Sequence, residues 1–119
     1  MRPHEAAMTR TTVVNIPTDC IVDWDSFHRV FQEVMGFPDF YGCNMNAWIY
    51  CMTDADDSGS GMSAITVKES DVLTLRIDQV AEFQRRCPEQ YQALVESSAF
   101  VNHRRIEMGE QPLLALMLA

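Results

Sequence analysis

The sequence lacks the features that mark membrane proteins, many metal sites and several enzyme classes. No apolar run approaches the ~20 residues that a membrane-spanning helix needs. The first residues, MRPHEAAMTR, lack the apolar core of a signal peptide. No cysteines form a C-x-x-C pair, and no phosphate-loop, dinucleotide-binding, serine-hydrolase or zinc-protease motif occurs. We therefore expect a cytoplasmic protein with reduced thiols, without a cofactor or metal.

Positive charge is also scarce. Lys and Arg number 9 against 17 Asp and Glu, so the formal net charge is -8. Such a surface repels phosphates, which disfavours direct binding of nucleic acid. It would attract a basic protein partner over long range. Negative charge also serves solubility, so charge alone leaves both interpretations open.

The chain of 119 residues, 47% of them hydrophobic, is long enough for one domain with its own core. Residues 1–10 resemble a flexible leader, and we expect a single domain over residues 11–119. The acidic, Gly- and Ser-rich stretch at about 54–63 predicts a loop.

The first half predicts a strand followed by two helices. TTVVNIP is β-branched and ends at Pro17. DWDSFHRVFQEVMG has the apolar spacing of a helix, capped by Asp23 or Asp25 and ended by Gly36. After the turn-rich connector FPDFYGCN, Asn44 predicts the N-cap of a second helix that runs to about Thr53.

The second half predicts another strand, two helices and a final strand. AITV, residues 64–67, suits a short strand or an extended lead-in. DVLTLRID alternates as a strand does, QVAEFQRRC is a short helix, and a long helix from Pro88 ends near Gly109. PLLALMLA predicts a strand buried on both faces. The resulting α/β fold is a three-stranded parallel sheet packed with about four helices.

Catalytic and metal-binding patterns are weak. His4 lies in the leader, and His28 is predicted to be exposed on the first helix. His103 lies beside Arg104 and Arg105, a basic pair that we interpret as favourable charge near a helix C-terminus. A Cys–His dyad would need tertiary proximity that the sequence does not show. We therefore predict that the protein is not an enzyme.

The acidic loop is a near miss for a calcium site. Positions 1, 3, 5 and 6 of the calcium-loop pattern are matched by Asp54, Asp56, Ser58 and Gly59. The position that should supply a bidentate Glu is Ile65, and the loop lies between a helix and a probable strand rather than two helices. A solvated acidic loop is the favoured interpretation.

The second helix carries two different stripes. One contains small, aromatic and sulfur-bearing side chains, and it suits the core: Ala47, Trp48, Cys51 and Met52. The other is a mixture of amide, apolar, aromatic and hydroxyl groups: Asn46, Ile49, Tyr50 and Thr53. Such a mixed stripe suits a protein interface. The alternative is that the 54–63 loop covers Ile49 and Tyr50.

MGFPDFYGCNMNAWIYCMTD resembles the signature of the barstar family, the intracellular inhibitors of barnase-type ribonucleases. Ten positions carry the match: Pro38, Asp39, Phe40, Tyr41, Gly42, Asn44, Met45, Ala47, Cys51 and Met52. The resemblance implies three parallel strands with helices packed against them. It also implies that the connector and the exposed face of the second helix block a nuclease active site.

The sequence departs from the family where the family places charge. Two family carboxylates, which stand in for RNA phosphates, are matched by Asn46 and Tyr50. An amide is neutral, and a phenol is neutral at pH 7 because its pKa is near 10. Ile49 matches a family aromatic residue, and an acidic family position falls near Arg104. Acidic groups could instead come from four flanking residues: Asp39, Asp54, Asp56 and Asp57.

We therefore predict a non-enzymatic inhibitor, or immunity protein, that binds a basic toxin such as a nuclease. The predicted partner-binding residues are Asp39, Phe40, Tyr41, Gly42, Asn44, Met45, Asn46, Ile49, Tyr50, Thr53 and Asp54. The alternative is a regulatory module of the same fold whose partner is not a toxin.

Overall fold

A computed structural model describes residues 10–68 and 71–119 and contains a three-stranded parallel sheet. The strands are β1 (Thr11–Ile16), β2 (Val72–Ile77) and β3 (Leu114–Leu118), in the order β1-β2-β3. The predicted parallel sheet is therefore confirmed. Most of the predicted leader, including His4, lies outside the described residues.

Four helices connect the strands, as predicted. They are α1 (Trp24–Met35), α2 (Met45–Thr53), α3 (Val80–Arg86) and α4 (Pro88–Glu107). Short 3₁₀ turns occupy Thr18–Cys20 and Ser58–Ser60. Two helices follow β1 and two follow β2, so each crossover is long enough to join parallel strands. No helix of the described residues is long and apolar enough to cross a membrane.

Local sequence signals fix both ends of α1. The Asp23 carboxylate accepts a hydrogen bond from the Ser26 N–H at 2.8 Å, and the Asp23 N–H donates to the Ser26 hydroxyl at 3.0 Å. Asp23, and not Asp25, is therefore the N-cap. Gly36 ends the helix with φ at 68°, and a Cβ there would collide with Ala64. Glycine is required at this position for both reasons.

The core lies on one face of the sheet. Leu73, Leu75 and Ile77 of the central strand are fully buried, and Val14 and Ile16 of β1 point to the same side. Residues at the alternate positions, such as Val13 and Arg76, are exposed. The helices thus bury one face and leave most of the other face open.

One strand prediction needs correction, and one of two alternatives left open by the sequence is confirmed. β3 is not buried on both faces, because β2 takes the central place and leaves β3 at an edge, where Met117 and Leu118 are 41% and 46% exposed. An uncharged apolar run does not reveal which of these places it will take. Residues 64–67 form no strand. They are the predicted extended lead-in, held by bonds from the Ala64 and Ile65 N–H groups to the Met35 carbonyl.

Candidate partner-binding site

The connector turns the chain sharply before α2 begins. Cys43 takes a left-handed conformation with φ at 54°, and Asn44 follows as the N-cap. The Asn44 side-chain oxygen accepts a hydrogen bond from the Ala47 N–H at 2.8 Å. This cap confirms the predicted helix start and fixes the direction in which α2 leaves the connector.

The predicted core stripe of α2 is confirmed. Trp48 and Met52 are fully buried, and Cys51 is almost so. The Trp48 ring meets the Phe31 ring edge-on, with 5.6 Å between the ring centroids. This contact anchors α2 to α1 and sets which residues of α2 face solvent.

The second stripe of α2 is only partly exposed. Tyr50 is 62% exposed and Asn46 is exposed, but Ile49 is half-buried and packs against the core. The interpretation of Ile49 as lying off the core face is therefore wrong. Because α2 packs against α4 as well as against the core, it buries a wider arc than one stripe. Thr53 is half-buried too, and its hydroxyl donates to the Ile49 carbonyl at 2.6 Å.

The connector has a buried polar anchor that the sequence did not reveal. His28 was predicted to be exposed, but it is buried, and its Nδ1 lies 2.6 Å from the buried Tyr41 hydroxyl. Burial lowers the pKa of His28, against an opposing effect of Asp25. Burial also raises the pKa of Tyr41. The buried side chain of Tyr41 therefore holds the connector against α1.

A helical stripe could have indicated this burial. Trp24, His28, Phe31 and Met35 recur at the i, i+4, i+7, i+11 spacing of one helix face. The His28 ring also stacks on Trp24, with centroids 6.0 Å apart. His28 belongs to the wide buried face of α1 that also contains Phe27 and Val30, whereas Trp24 is 37% exposed.

The remaining predicted residues form an exposed surface beside this anchor. Phe40 is 73% exposed, and Met45 is half-buried against the core. We call the exposed set the connector–α2 surface: Asp39, Phe40, Gly42, Asn44, Asn46 and Tyr50. This surface exposes the rings of Phe40 and Tyr50, the side-chain amides of Asn44 and Asn46, and the carboxylate of Asp39.

Negative charge gathers where α2 ends. The pKa of Asp54 is raised by its partial burial and by the nearby carboxylates of Asp57, Asp56 and Glu110, while Arg105 acts against them. Glu110 was missing from the predicted acidic group. It follows α4, more than fifty residues further along the chain, and no local pattern connects it with Asp54.

Asp56 is engaged within the fold and is not free for a partner. Its two carboxylate oxygens accept hydrogen bonds from the Arg105 guanidinium at 3.1 and 2.7 Å, and both side chains are nearly buried. Arg105 also donates to the carbonyls of Thr53 and Gln111. Arg105 is therefore more than the helix-end cation that the sequence predicted, because it binds a carboxylate of the acidic loop.

The calcium interpretation finds no support in this arrangement. Asp56 would be one of the ligands, yet both of its oxygens bond to Arg105. Among residues 10–68 and 71–119, no group of three or more His, Cys, Asp or Glu side chains could hold a metal ion.

The last helix places other charges in solvent. His103 is exposed and lies 3.5 Å from the Glu107 carboxylate. The exposed Arg104, near the acidic family position, holds its guanidinium 5.8 Å from the centre of the Phe100 ring. A positive side chain thus lies where the family resemblance implies a carboxylate.

Comparison with known families agrees with this fold. The family model described as barstar (barnase inhibitor) matches residues 11–105, from the first residue of β1 into the last turn of α4. No curated protein matches the chain. Members of the matched family are inhibitors that bind a barnase-like ribonuclease. The chain belongs to the barstar family.

Proposed function

We propose that the protein is a non-enzymatic immunity protein that binds a toxin, a nuclease or another RNA-targeting enzyme, and occludes its active site with the connector and α2. The observation that carries this is the exposure of two large aromatic side chains, Phe40 and Tyr50, on a firmly anchored base. Exposed aromatic groups among orienting polar groups are typical of the energetic centre of an interface. The four cysteines are free, as in a reducing compartment, which supports action in the cytoplasm.

The base beneath this surface supports the proposal. Asn44 caps α2, Trp48 anchors it to α1, and the His28–Tyr41 contact holds the connector. A surface that is ordered before binding loses little conformational entropy when the partner docks. Such an anchored and exposed segment is suited to filling a concave active site.

Charge favours a basic partner held differently from the family's usual one. Asn46 carries an amide and Tyr50 a phenol, so neither supplies the carboxylate with which the family forms its ion pairs. Carboxylates that form no ion pair within the described residues lie on either side of them, at Asp39 before α2 and at Asp54 and Asp57 after it. We therefore expect the partner's basic groups to contact the two ends of α2 rather than its middle.

The test is to co-purify the partner, beginning with the product of the neighbouring gene, and to measure its affinity by calorimetry. We expect Phe40→Ala with Tyr50→Ala to weaken binding at least 100-fold, because central aromatic residues carry about 2 kcal/mol or more each. Val22→Ala is the matched control, since Val22 is 67% exposed and lies outside the connector–α2 surface. Equal affinity of the double variant and the control would exclude this surface. Ile49 is left unchanged in this test, because it packs against the core and its substitution would affect folding as well as binding.

The second candidate function is that of a regulatory module whose partner is not a toxin. The neutral side chains of Asn46 and Tyr50 favour it, because they remove the family's two central charges. Expression of the co-purified partner alone separates the candidates. A toxin should arrest growth, and co-expression of this chain should restore it; a partner that never affects growth would favour the regulatory module.

A further inference from the structure

We propose that two copies of this chain pair through the free edge of β3 and join their sheets across a twofold axis. β3 is an edge strand whose partner on one side is β2. The proposed occupant of its other side is the β3 strand of a second copy, running antiparallel.

The backbone of β3 leaves two residues open for such pairing. The Leu113 carbonyl accepts from the Leu73 N–H at 2.8 Å, and the Ala119 N–H donates to the Ile77 carbonyl at 3.0 Å. Since bonding direction alternates along a strand, the even-numbered residues of β3 face outwards. The Asn102 side chain bonds to both the N–H and the carbonyl of Leu114. In the part of the chain that the structure describes, nothing bonds to the outward groups of Leu116 and Leu118.

The register of a symmetric pair follows from these two residues. In an antiparallel pair centred on Met117, Leu116 lies opposite Leu118 of the second copy, and Leu118 lies opposite its Leu116. Outward-facing residues that lie opposite each other exchange both of their hydrogen bonds. All the open groups would therefore be satisfied at once, in an interface that closes on itself as twofold contacts do.

The side chains around this edge are apolar. Residues 111–119 contain no charged side chain, and Met117 and Leu118 are 41% and 46% exposed. Val95, Ala99 and Ile106 share the helical stripe of Asn102, so they flank the same edge from α4. Edge strands that must remain unpaired usually carry a charge, a proline or a bulge within the strand, and β3 has no charge or proline.

The symmetric register selects a second copy as the occupant, and the charge at this edge permits it. With a net charge of -8, two copies repel one another wherever acidic surfaces meet. The side chains of β3 and of its flanking stripe carry no charge, so copies can approach there without bringing acidic side chains into contact. In the joined sheet both α4 helices lie on the same face, and the small side chain of Ala99 allows them to come close. This surface shares no residue with the connector–α2 surface, so partner binding and pairing of copies can be tested separately.

The test is sedimentation equilibrium of the full chain. We expect a mass near twice 13.6 kDa at ~100 µM, and at least a tenfold weaker association for Leu118→Lys. Val22→Lys adds the same charge at an exposed position elsewhere and should associate as the wild type does. Ala99→Arg is a second disrupting variant, on an exposed helix position where it should not impair folding. Circular dichroism checks that each variant is folded.

Two outcomes would overturn the proposal. A wild-type chain that stays monomeric at ~100 µM does so directly. A dimer that survives both Leu118→Lys and Ala99→Arg has another interface.

Discussion

The Nδ1 atom of His28 and the hydroxyl oxygen of Tyr41 lie 2.6 Å apart, and this contact ties α1 to the connector that precedes α2. Both groups are buried, so neither can exchange its partner for water without loss. The position of the exposed connector therefore depends on an imidazole whose pKa is lowered by burial, which favours its neutral form.

We expect His28 to make the protein less stable in acid. Its pKa is lowered in the folded state, mainly by burial, so below about pH 6.5 the unfolded chain takes up a proton that the folded chain does not. Stability is therefore retained above pH 6.5 and falls as the pH decreases, by at most about 1.4 kcal/mol per pH unit from this group. Urea unfolding at pH 7.5 and 5.5 measures the fall. His28→Gln should reduce it, and equal falls in both proteins would contradict the assignment.

Breaking the Asp56–Arg105 ion pair should be costly. Asp56→Ala leaves a buried guanidinium without its carboxylate, and we expect a loss of about 3–5 kcal/mol in the free energy of unfolding. Asp56→Ala with Arg105→Met should recover much of that loss, because the unpaired charge is removed. Asp39→Ala, at an exposed carboxylate, is the control and should change stability by less than about 0.5 kcal/mol. A loss below 1 kcal/mol for Asp56→Ala would show that the pair is weak.

The two stripes of α2 should respond oppositely to truncation. Trp48→Ala empties a fully buried site, and we expect it to lower the free energy of unfolding by about 3–5 kcal/mol. Tyr50→Ala should stay within about 0.5 kcal/mol of wild type while it weakens partner binding. Thermal unfolding and calorimetric titration measure the two effects. Strong destabilisation by Tyr50→Ala would mean that its ring serves the fold instead.

Asp54→Asn should stabilise the protein while it weakens partner binding. The pKa of Asp54 is raised in the folded state, so above its unfolded value of 3.8 ionisation costs stability. The carboxylate also lies at the C-terminus of α2, where negative charge is unfavourable. We expect a gain of about 0.5 kcal/mol at pH 7, as is typical of charges at helix ends, and none below pH 3.8. If the gain in the free energy of unfolding does not depend on pH, its cause is not the charge of Asp54.

The sequence predicted the elements of this fold well because their signals are local. Asp23, Gly36 and Asn44 each occupy a helix end within a few residues of the apolar pattern that they delimit. The alternation of Leu73, Leu75 and Ile77 likewise lies within one strand. The connector and α2 were recognised in the same way, from a continuous stretch of chain.

The remaining features depend on contacts between distant residues. Asp56 and Arg105 are 49 positions apart, so no local sequence pattern predicts their buried ion pair. For the same reason the sequence did not show that Asp56 is unavailable to a partner. His28 was misplaced because its partner, Tyr41, lies in another element. Ile49 was misplaced because the side of α2 that packs against the core is wider than the stripe of Trp48 and Met52.

Arg105 bonds to the last residue of α2, to the acidic loop and to the carbonyl of Gln111 just before β3. One guanidinium thus joins three segments that are far apart in sequence. Hydrogen exchange should therefore give their backbone amides a common free energy of opening, as parts of one cooperative unit. The end of α2 that we expect to meet the partner would then open together with the entrance to β3, although the two lie on different elements.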